Sequence, residues 1–416
     1  MVRAFFAVAL WKRVLVALLL GILFGLAWPA AAPSIAFLGD IFVRLIRMLV
    51  VPIVLVTIAA GVTSLGDPKR LGSLGGRTVL LFLATTAVAV AVGMAVACII
   101  RPGVDINLGT AAPHALGEAK TLYDQLIGII PVNIFVALST GDMLPIIFFA
   151  ILFGVGTVLA GEAGEPVAAF LHAASAVLLR VVRVAMEFTP FGVFALVANA
   201  MATSGVAVFV HIGWLALCVV VGSAIQALIV HSAMIRVLAR LSVRRFFGGI
   251  VDALVVAFST ASSSATLPVA MRVAEDNLGI DEKVASTVLP LGAAIGKDGT
   301  AMYVGLLSVF SLQAFGVPLE AGTMAIIFLT AALAAFGTAP VPSASLFMLS
   351  AVLSAVHISP EQTALVVGFV LPFDRLLDMT RTVPSCSANL AVATVIARWE
   401  GEIDTDRYRA VTDERL

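Results

Sequence analysis

The sequence predicts an all-α membrane protein. Of its 416 residues, 61% are hydrophobic and only 12% are charged, which is about half the charged fraction of an ordinary soluble domain. Long apolar stretches recur along the chain, as expected for helices that cross a lipid bilayer. In the C-terminal half, an apolar segment with a polar tip is followed by an apolar span with a polar break, and this pattern occurs twice.

Charge and cysteine use exclude several classes of function. Lys and Arg balance Asp and Glu, so the net charge is zero and nucleic-acid binding is not expected. The three cysteines lie isolated in apolar runs, which predicts buried hydrophobic residues rather than disulfides or a metal site. No phosphate-binding loop or cofactor is indicated. The five histidines are scattered and no nucleophile–His–acid set is visible, so we do not expect an enzyme.

Six spans are predicted before residue 246. They lie at about 10–28, 35–65, 78–100, 128–160, 165–200 and 207–235, with a kink at Pro190 in the fifth. A basic, glycine-rich loop at 64–77 separates the second span from the third. This loop, the arginines after the sixth span and the C-terminal tail fall on one side of the predicted topology. The positive-inside rule makes that side cytoplasmic.

The pattern changes in the C-terminal half. Six hydroxyl residues and a proline at 259–268 interrupt the apolar segment 247–277, which predicts two short helices that meet at a polar tip, a re-entrant hairpin. The further segments are a span at 283–312 with a break at 296–299, a second hairpin at 322–356 with a break at 336–345, and a last span at 362–397 with a polar stretch at 374–389. A hairpin followed by an interrupted span therefore occurs twice, which is typical of a transporter binding site made from inverted repeats.

Charged residues at bilayer depth mark the candidate site. Lys297 and Asp298 each cost about 3 kcal/mol on insertion scales, so we expect them to face the protein interior. In the last span, Asp374, Asp378 and Arg381 are four and three residues apart and share a helix face. One interpretation is a structural ion pair between helices. The other is a site for a zwitterion, because aspartate suits an ammonium group and an arginine fork suits a carboxylate.

At this point the chain resembles the dicarboxylate/amino acid:cation symporter family, to which the glutamate transporters belong. The resemblance covers essentially the whole chain and rests on LIRMLVVP, IIFFAILFG, SSSATLP, LPLGAAIGKDGT, GTAPVP and LDMTRT. It implies eight spans with two re-entrant hairpins, a homotrimer and an elevator motion. The implied parts are scaffold spans at 1–77 and 125–203, a transport domain made of span three at 78–101 together with 204–398, and a cytoplasmic tail at 399–416.

The resemblance also implies roles for individual residues. Asp378 resembles the residue that holds the substrate amine, and Arg381 the one that holds the side-chain carboxylate. The remaining implied substrate contacts are Thr382, Ser385, Thr300, Ser263, Val341 and Ser345. Family branches for dicarboxylates lack the aspartate, and branches for neutral amino acids lack the arginine. Because this chain has both, an acidic amino acid is the favoured substrate.

The chain departs from the sodium-coupled members of the family at several positions. Gly296, Lys297, Asn389, Ser385 and Phe82 stand where those members have asparagine, methionine, aspartate, asparagine and tyrosine. Only Asp298, Thr85 and Thr86 are kept from the deepest sodium site. A hard cation needs about six oxygen ligands, so these changes leave few. The sequence therefore predicts that the Lys297 ammonium replaces a bound sodium ion, with Asp298 as a possible partner.

Several versions of this hypothesis remain open. If Lys297 keeps its charge, transport is uncoupled, and if it releases its proton, that proton is the coupled ion; we favour proton coupling. The alternatives are a sodium-coupled symporter of acidic amino acids or C4-dicarboxylates, or an uncoupled carrier or anion channel. The short loops favour a bacterial inner membrane. Pro340 and Ser343 replace glycines of the family in the second hairpin, and their role is not explained.

Overall fold

The computed structural model describes residues 10–64, 68–104, 106, 127, 130–140, 143–204, 207–336, 338 and 344–410. Within these ranges the chain is helical, and its only β-type pairing is an isolated bridge between Ile280 and Ile403. The helices are α1 Leu10–Ala27, α2 Ala32–Ser64, α3 Pro68–Ile100, α4 Ile134–Thr140, α5 Met143–Leu159, α6 Glu165–Met186, α7 Thr189–Ser204, α8 Ala207–Ala224, α9 Val243–Thr260, α10 Ser263–Asp276, α11 Glu282–Ile295, α12 Asp298–Ala314, α13 Ala321–Phe336, α14 Ala344–Ala355, α15 Pro360–Glu400 and α16 Thr405–Ala410.

The N-terminal half follows the predicted spans with one correction. The chain between α6 and α7 leaves the helix just before Pro190, where a kink was predicted. The loop predicted at 64–77 is wrong for residues 68–77, because α3 already begins at Pro68. Proline is favoured in the first turn of a helix, because backbone N–H groups there form no hydrogen bond within the helix and proline has none. The glycines that suggested a loop cost a helix only about 1 kcal/mol each.

Helix α8 extends beyond Ala224 through two π-helical segments, Ile225–His231 and Met234–Ala239. These segments are counted as part of α8 below. A π-helix closes hydrogen bonds between residues five apart, so its side chains are spaced differently from those of an α-helix. This winding matters for the site, because it sets which side chains of α8 face the protein interior.

The helix breaks of the C-terminal half lie close to their predicted positions. Ala261 has a left-handed backbone (φ 51°), and the Ser262 side chain accepts a hydrogen bond from the first turn of α10. The chain is also interrupted at Gly296 and Lys297, between α11 and α12. The tip between α13 and α14, with Val341, Pro340 and Ser343, lies outside the described residues. That either hairpin is re-entrant remains a prediction.

The predicted interruption of the last span is wrong. α15 runs for 41 residues from Pro360 to Glu400 without a break. Ser359 and Gln362 form a reciprocal capping box at its start, which satisfies two backbone donors. Within the helix, Thr382 and Thr394 donate back to carbonyls one turn earlier, at 2.7 Å in each case. The polar stretch is therefore accommodated inside a continuous helix.

The helices make two sets of contacts. α1 lies against α7, and α2 lies against α5, α6 and α7. α3 lies along α12. α15 contacts α8 and each of the helices from α9 to α12 directly. In the described part of the chain, Gly75–Ile100 and Val210–Ala239 are long and apolar enough to cross a membrane, and a bent pair over 12–42 is a third candidate. Eight spans remain a prediction.

The C-terminal tail folds back onto the first hairpin. Gly401 ends α15 in a left-handed conformation (φ 77°), and the Asp404 N–H then donates to the Gly279 carbonyl at 2.7 Å. In α16, Tyr408 is buried and its hydroxyl donates to the Ser242 carbonyl at 2.8 Å. The tail thus joins the end of α15 to both helices of that hairpin.

Candidate functional site

The break between α11 and α12 places charged groups in the protein interior. Lys297 is 3% exposed and Asp298 is fully buried. Asp298 is the first residue of α12, and the free N–H groups of a helix N-terminus favour a negative charge there. Gly299 follows, and an added Cβ would overlap the Arg381 carbonyl of α15. A glycine is therefore required where the two helices meet.

The Asp298 carboxylate is surrounded by hydrogen-bond donors. The hydroxyls of Thr85 and Thr86 on α3 each lie 3.2 Å from Oδ1. The Thr85 hydroxyl also lies 3.1 Å from the Phe82 carbonyl, so its one hydrogen serves either acceptor. On the other side, Gln226 Nε2 donates to Oδ2 at 2.9 Å, and His231 Nε2 lies 3.2 Å from the same atom. A buried charge is tolerated only when it is hydrogen-bonded in this way. Thr85, Thr86 and Asp298 are thus brought together as expected, with two partners from α8 in addition.

The π-helical winding of α8 positions those two partners. Gln226 and His231 are five residues apart and both lie in the segment Ile225–His231, so they face the same side. The second ring nitrogen of His231, Nδ1, lies 3.0 Å from Ser387 Oγ on α15. Because the ring contacts polar atoms at both nitrogens, its orientation is fixed between α12 and α15.

Lys297 does not pair with its neighbour. Its Nζ donates to the Ala293 carbonyl at 2.6 Å, and among the described residues it has neither a hydrogen bond nor an ion pair with Asp298. The expected partnership with Asp298 is therefore wrong, because adjacent positions at a helix start point apart.

The Asn389 side chain faces the same helix break from α15. Its amide nitrogen, turned toward the carbonyl oxygens of Gly292 and Gly296, donates to both at 3.3 Å. The opposite orientation would face the amide oxygen only toward acceptors, so the hydrogen bonds determine the assignment. An added Cβ at Gly296 would overlap this amide and come within 2.7 Å of the Phe82 ring. Asn389 thus donates to the Gly296 carbonyl at the break and adds a second donor to the Gly292 carbonyl, which also accepts from the Gly296 N–H at 2.7 Å.

A second charged group surrounds Arg381. Its Nη2 lies 2.8 Å from Asp378 Oδ1 and 3.9 Å from Asp374 Oδ1. The Tyr303 hydroxyl donates to Asp374 at 3.0 Å, and the Tyr303 ring lies under the guanidinium at 4.4 Å. Such a cation–π contact is worth about 2 kcal/mol when it is desolvated. The spacing of Asp374, Asp378 and Arg381 on one face is confirmed by these contacts.

This group keeps unused hydrogen-bonding capacity. Nε and Nη1 of Arg381 and Oδ2 of Asp374 are buried without a partner among the described residues. Arg381 is only 2% exposed, and buried polar groups are normally paired. Free guanidinium donors in a buried site can accept a carboxylate in a bidentate arrangement.

The other expected substrate contacts are distributed around these groups. The Thr382 hydroxyl donates to the Asp378 carbonyl at 2.7 Å, and Ser385 Oγ accepts from the Gly299 N–H at 3.0 Å. Thr300 is half-buried, and Ser345 is buried with no partner for its hydroxyl among the described residues. Beside them, a space of about 10 Å³ is lined in part by Ser263, Asn389 and Cys386, room for about one water molecule. Val341 lies outside the described residues.

Sequence reasoning missed two residues of the site. Gln226 and Tyr303 were not singled out, and His231 was counted only among the five scattered histidines. A glutamine in the middle of an apolar span was a visible signal for the first. An α-helical pattern does not predict that Gln226 and His231 lie on the same side of α8. Residues five apart share a side only where the helix is wound as a π-helix.

The chain is similar in sequence to known transport proteins over nearly its whole length. The model of the sodium:dicarboxylate symporter family matches residues 10–399. The proton/sodium-glutamate symport protein of Geobacillus stearothermophilus is 33% identical over 407 residues, covering 95% of each chain. The corresponding Bacillus subtilis protein is 32% identical over 97% of this chain and 95% of its own length. The C4-dicarboxylate transport protein of Brucella anthropi is 30% identical over 96% of this chain and 91% of its own. The chain therefore belongs to the sodium:dicarboxylate symporter family.

Proposed function

We propose that this protein is a secondary active transporter of acidic amino acids that works without sodium and is coupled to protons. The observation that carries the proposal is the buried contact of 2.8 Å between Arg381 and Asp378. Aspartate and glutamate carry one ammonium group and two carboxylates. The ammonium group suits Asp378, and a carboxylate suits the free guanidinium nitrogens of Arg381.

Substrate binding would exchange one ion pair for two. In the structure, Asp378 and Arg381 neutralise each other. A zwitterion that enters between them offers an ammonium group to the first and a carboxylate to the second, so neither buried charge is left unpaired. A C4-dicarboxylate brings two negative charges and no ammonium group to offer Asp378, so like charges would face each other in a buried site, which is costly.

The charge balance of the site supports coupling to a cation. The buried side chains here are two basic groups, Lys297 and Arg381, against three carboxylates, Asp298, Asp374 and Asp378. An acidic amino acid brings a further net charge of −1. Because uncompensated charge is costly in a low-dielectric interior, a proton taken up with the substrate lowers that cost. The candidate proton carriers in the site are Lys297, Asp298 and Asp378.

Lys297 is proposed to take the place of a bound sodium ion. Its ammonium group donates to the Ala293 carbonyl, and the Asn389 amide donates to the neighbouring carbonyls of Gly292 and Gly296. Backbone oxygens that could otherwise serve as cation ligands are thus occupied by protein N–H groups. These contacts support a site that needs no sodium at the helix break.

The test is radiolabelled L-aspartate uptake into proteoliposomes under a sodium gradient alone and under a proton gradient alone. We expect concentrative uptake with protons and none with sodium. We expect Lys297→Met to lose the proton-driven uptake, and the control Lys283→Met, on the exposed first turn of α11, to keep it. Sodium-driven uptake by the wild-type protein, or unchanged ion dependence of Lys297→Met, contradicts the proposal. Equal uptake with either gradient or none indicates an uncoupled carrier.

A second candidate is C4-dicarboxylate symport, which the name of the Brucella anthropi relative favours. Competition of L-aspartate uptake by succinate and by L-glutamate distinguishes the two. The proposed substrate class predicts inhibition by glutamate at concentrations where succinate has no effect. Stereoselective counterflow, with L-aspartate inside driving entry of labelled L-aspartate, separates a carrier from an anion channel.

The proposed architecture is a homotrimer in a bacterial inner membrane with an elevator motion. α1, α2 and α5–α7 would form the scaffold, and α3 with α8–α15 the moving transport domain. The contacts of α1 with α7 and of α3 with α12 support this division. Light scattering of the detergent-solubilised protein tests the trimer, and a monomeric mass contradicts it.

A further inference from the structure

The oxygen atoms around Asp298 form a potential cation pocket. They comprise both carboxylate oxygens, the hydroxyls of Thr85 and Thr86, and the Thr85 carbonyl, which lies 3.4 Å from Gln226 Nε2. Hard cations prefer such oxygen ligands and take about six of them. The family name and the names of the relatives include sodium, so the pocket has to be tested against that ion.

The arrangement of donors does not fit a sodium ion. Each carboxylate oxygen of Asp298 already has two hydrogen-bonding protein groups within 3.2 Å, the threonine hydroxyls at Oδ1 and the side chains of Gln226 and His231 at Oδ2. N–H groups point at the carboxylate where a cation would have to lie. The pocket is satisfied by the protein itself.

Lys297 does not supply these donors. Its ammonium group donates to the Ala293 carbonyl instead. The N–H groups that fill the pocket around Asp298 therefore come from Gln226 and His231 on α8. Of the two α8 side chains, Gln226 can turn its amide and offer an oxygen, because its Oε1 has no partner among the described residues. His231 has no oxygen to offer a hard cation.

The His231 ring is held in place on both sides. It is fully buried, and its Nδ1 contacts Ser387 Oγ at 3.0 Å while Nε2 contacts Asp298 at 3.2 Å. An ionised carboxylate only accepts hydrogen bonds, so the hydrogen lies on Nε2. The ring therefore cannot turn away from Asp298 without losing both contacts.

We infer that His231 is the residue that excludes sodium from the Asp298 pocket. Removing the ring frees Oδ2, makes space, and lets Gln226 turn its oxygen inward. Six oxygens then surround the space: two from Asp298, two from Thr85, one from Thr86 and one from Gln226. This inference rests on the proposed sodium independence and assigns it, at this pocket, to α8 rather than to Lys297.

The experiment is equilibrium binding of ²²Na⁺ to the purified full-length protein, with unlabelled sodium and choline as competitors. His231→Ala removes the ring. His231→Phe is the conservative variant, because it keeps a ring in this space and brings no oxygen that could bind sodium. His172→Ala is the matched control, since His172 lies on α6 and contacts Thr63 rather than Asp298. Ser387→Ala loosens the ring without removing it, and gel filtration checks that each variant is folded.

We expect sodium binding at least tenfold tighter in His231→Ala than in the wild type, His231→Phe or His172→Ala, with a smaller gain in Ser387→Ala. A second change, Asp298→Asn in the His231→Ala background, should abolish the gain. If His231→Ala is folded and binds no more sodium than the wild type, the inference is overturned while the proposed function stands. If His231→Ala does not fold, the absence of any gain in Ser387→Ala overturns it. Saturable sodium binding by the wild type that Asp298→Asn removes overturns both.

Discussion

Replacing Arg381 tests the substrate assignment most directly. The guanidinium is 2% exposed, and its Nε and Nη1 have no partner among the described residues. Two hydrogen bonds from these atoms to a substrate carboxylate, at about 1.5–3 kcal/mol each for a charged pair, give about 3–6 kcal/mol. Glutamine keeps one donor without the charge, so for Arg381→Gln we expect a loss of about 3 kcal/mol. This corresponds to roughly a hundredfold weaker binding of L-aspartate.

The assay is saturation binding of radiolabelled L-aspartate to the purified protein. Arg381→Lys keeps the positive charge beside Asp378 but loses the planar fork, so it separates geometry from charge and should weaken binding by about tenfold or more. Arg375→Gln is the matched control on the same helix. In the described part of the chain, the Arg375 guanidinium donates to the Thr260 carbonyl at 3.3 Å and forms no ion pair with Asp374 or Asp378. L-Serine, which has no second carboxylate, should be affected little. If Arg381→Gln and Arg381→Lys bind L-aspartate within threefold of the wild type, Arg381 does not hold the carboxylate.

Three further changes have defined outcomes. Gly299→Ala places a methyl group in the backbone of α15 and should destabilise the fold by about 3 kcal/mol, seen as a lower melting temperature, whereas Gly322→Ala, with nothing within 4 Å, should melt like the wild type. Asn389→Asp replaces a donor by an acceptor facing two carbonyls and should cost about 1–3 kcal/mol near neutral pH; the loss should shrink at acid pH, where the new carboxyl is protonated and donates, and an equal loss at both pH values would contradict this. The backbone N–H groups of Arg407 and Asp406 hold the pKa of the Asp404 carboxyl below its usual 3.8. The ionised carboxylate therefore stabilises the docked tail fully above pH 3.8, and this stabilisation is lost as the pH falls through the lowered pKa of the folded protein. Hydrogen exchange in α16 should therefore be constant from about pH 5 to 8 in the wild type after correction for the intrinsic rate, and faster throughout in Asp404→Ala.

Local chemistry made the helix breaks predictable. Glycines beside Lys297 and the run of hydroxyl residues before Pro268 weaken a helix wherever they occur, and the structure interrupts the chain at both places. The grouping of Asp374, Asp378 and Arg381 was predictable because helical spacing places them on one face. Both inferences use only residues that are close in the sequence.

The partners of Asp298 were not predictable in the same way. Gln226 and His231 reach it because α8 is wound as a π-helix, and a hydrophobic pattern does not reveal that winding. Asp298 was a possible partner of Lys297, but at the break the two side chains have different partners. The continuous course of α15 through its polar stretch depends on threonine side chains that bond to their own helix, which a count of polar residues cannot show.

The folded-back tail has a practical consequence for measuring motion. Because the backbone of Asp404 is tied to Gly279, and Tyr408 to Ser242, α16 is mechanically part of the first hairpin and of α15. A fluorophore attached at the exposed position of Asp406 in α16 would be carried by that unit. Energy transfer from this fluorophore to a second dye on α1 would then measure, in single molecules, whether the unit moves relative to α1.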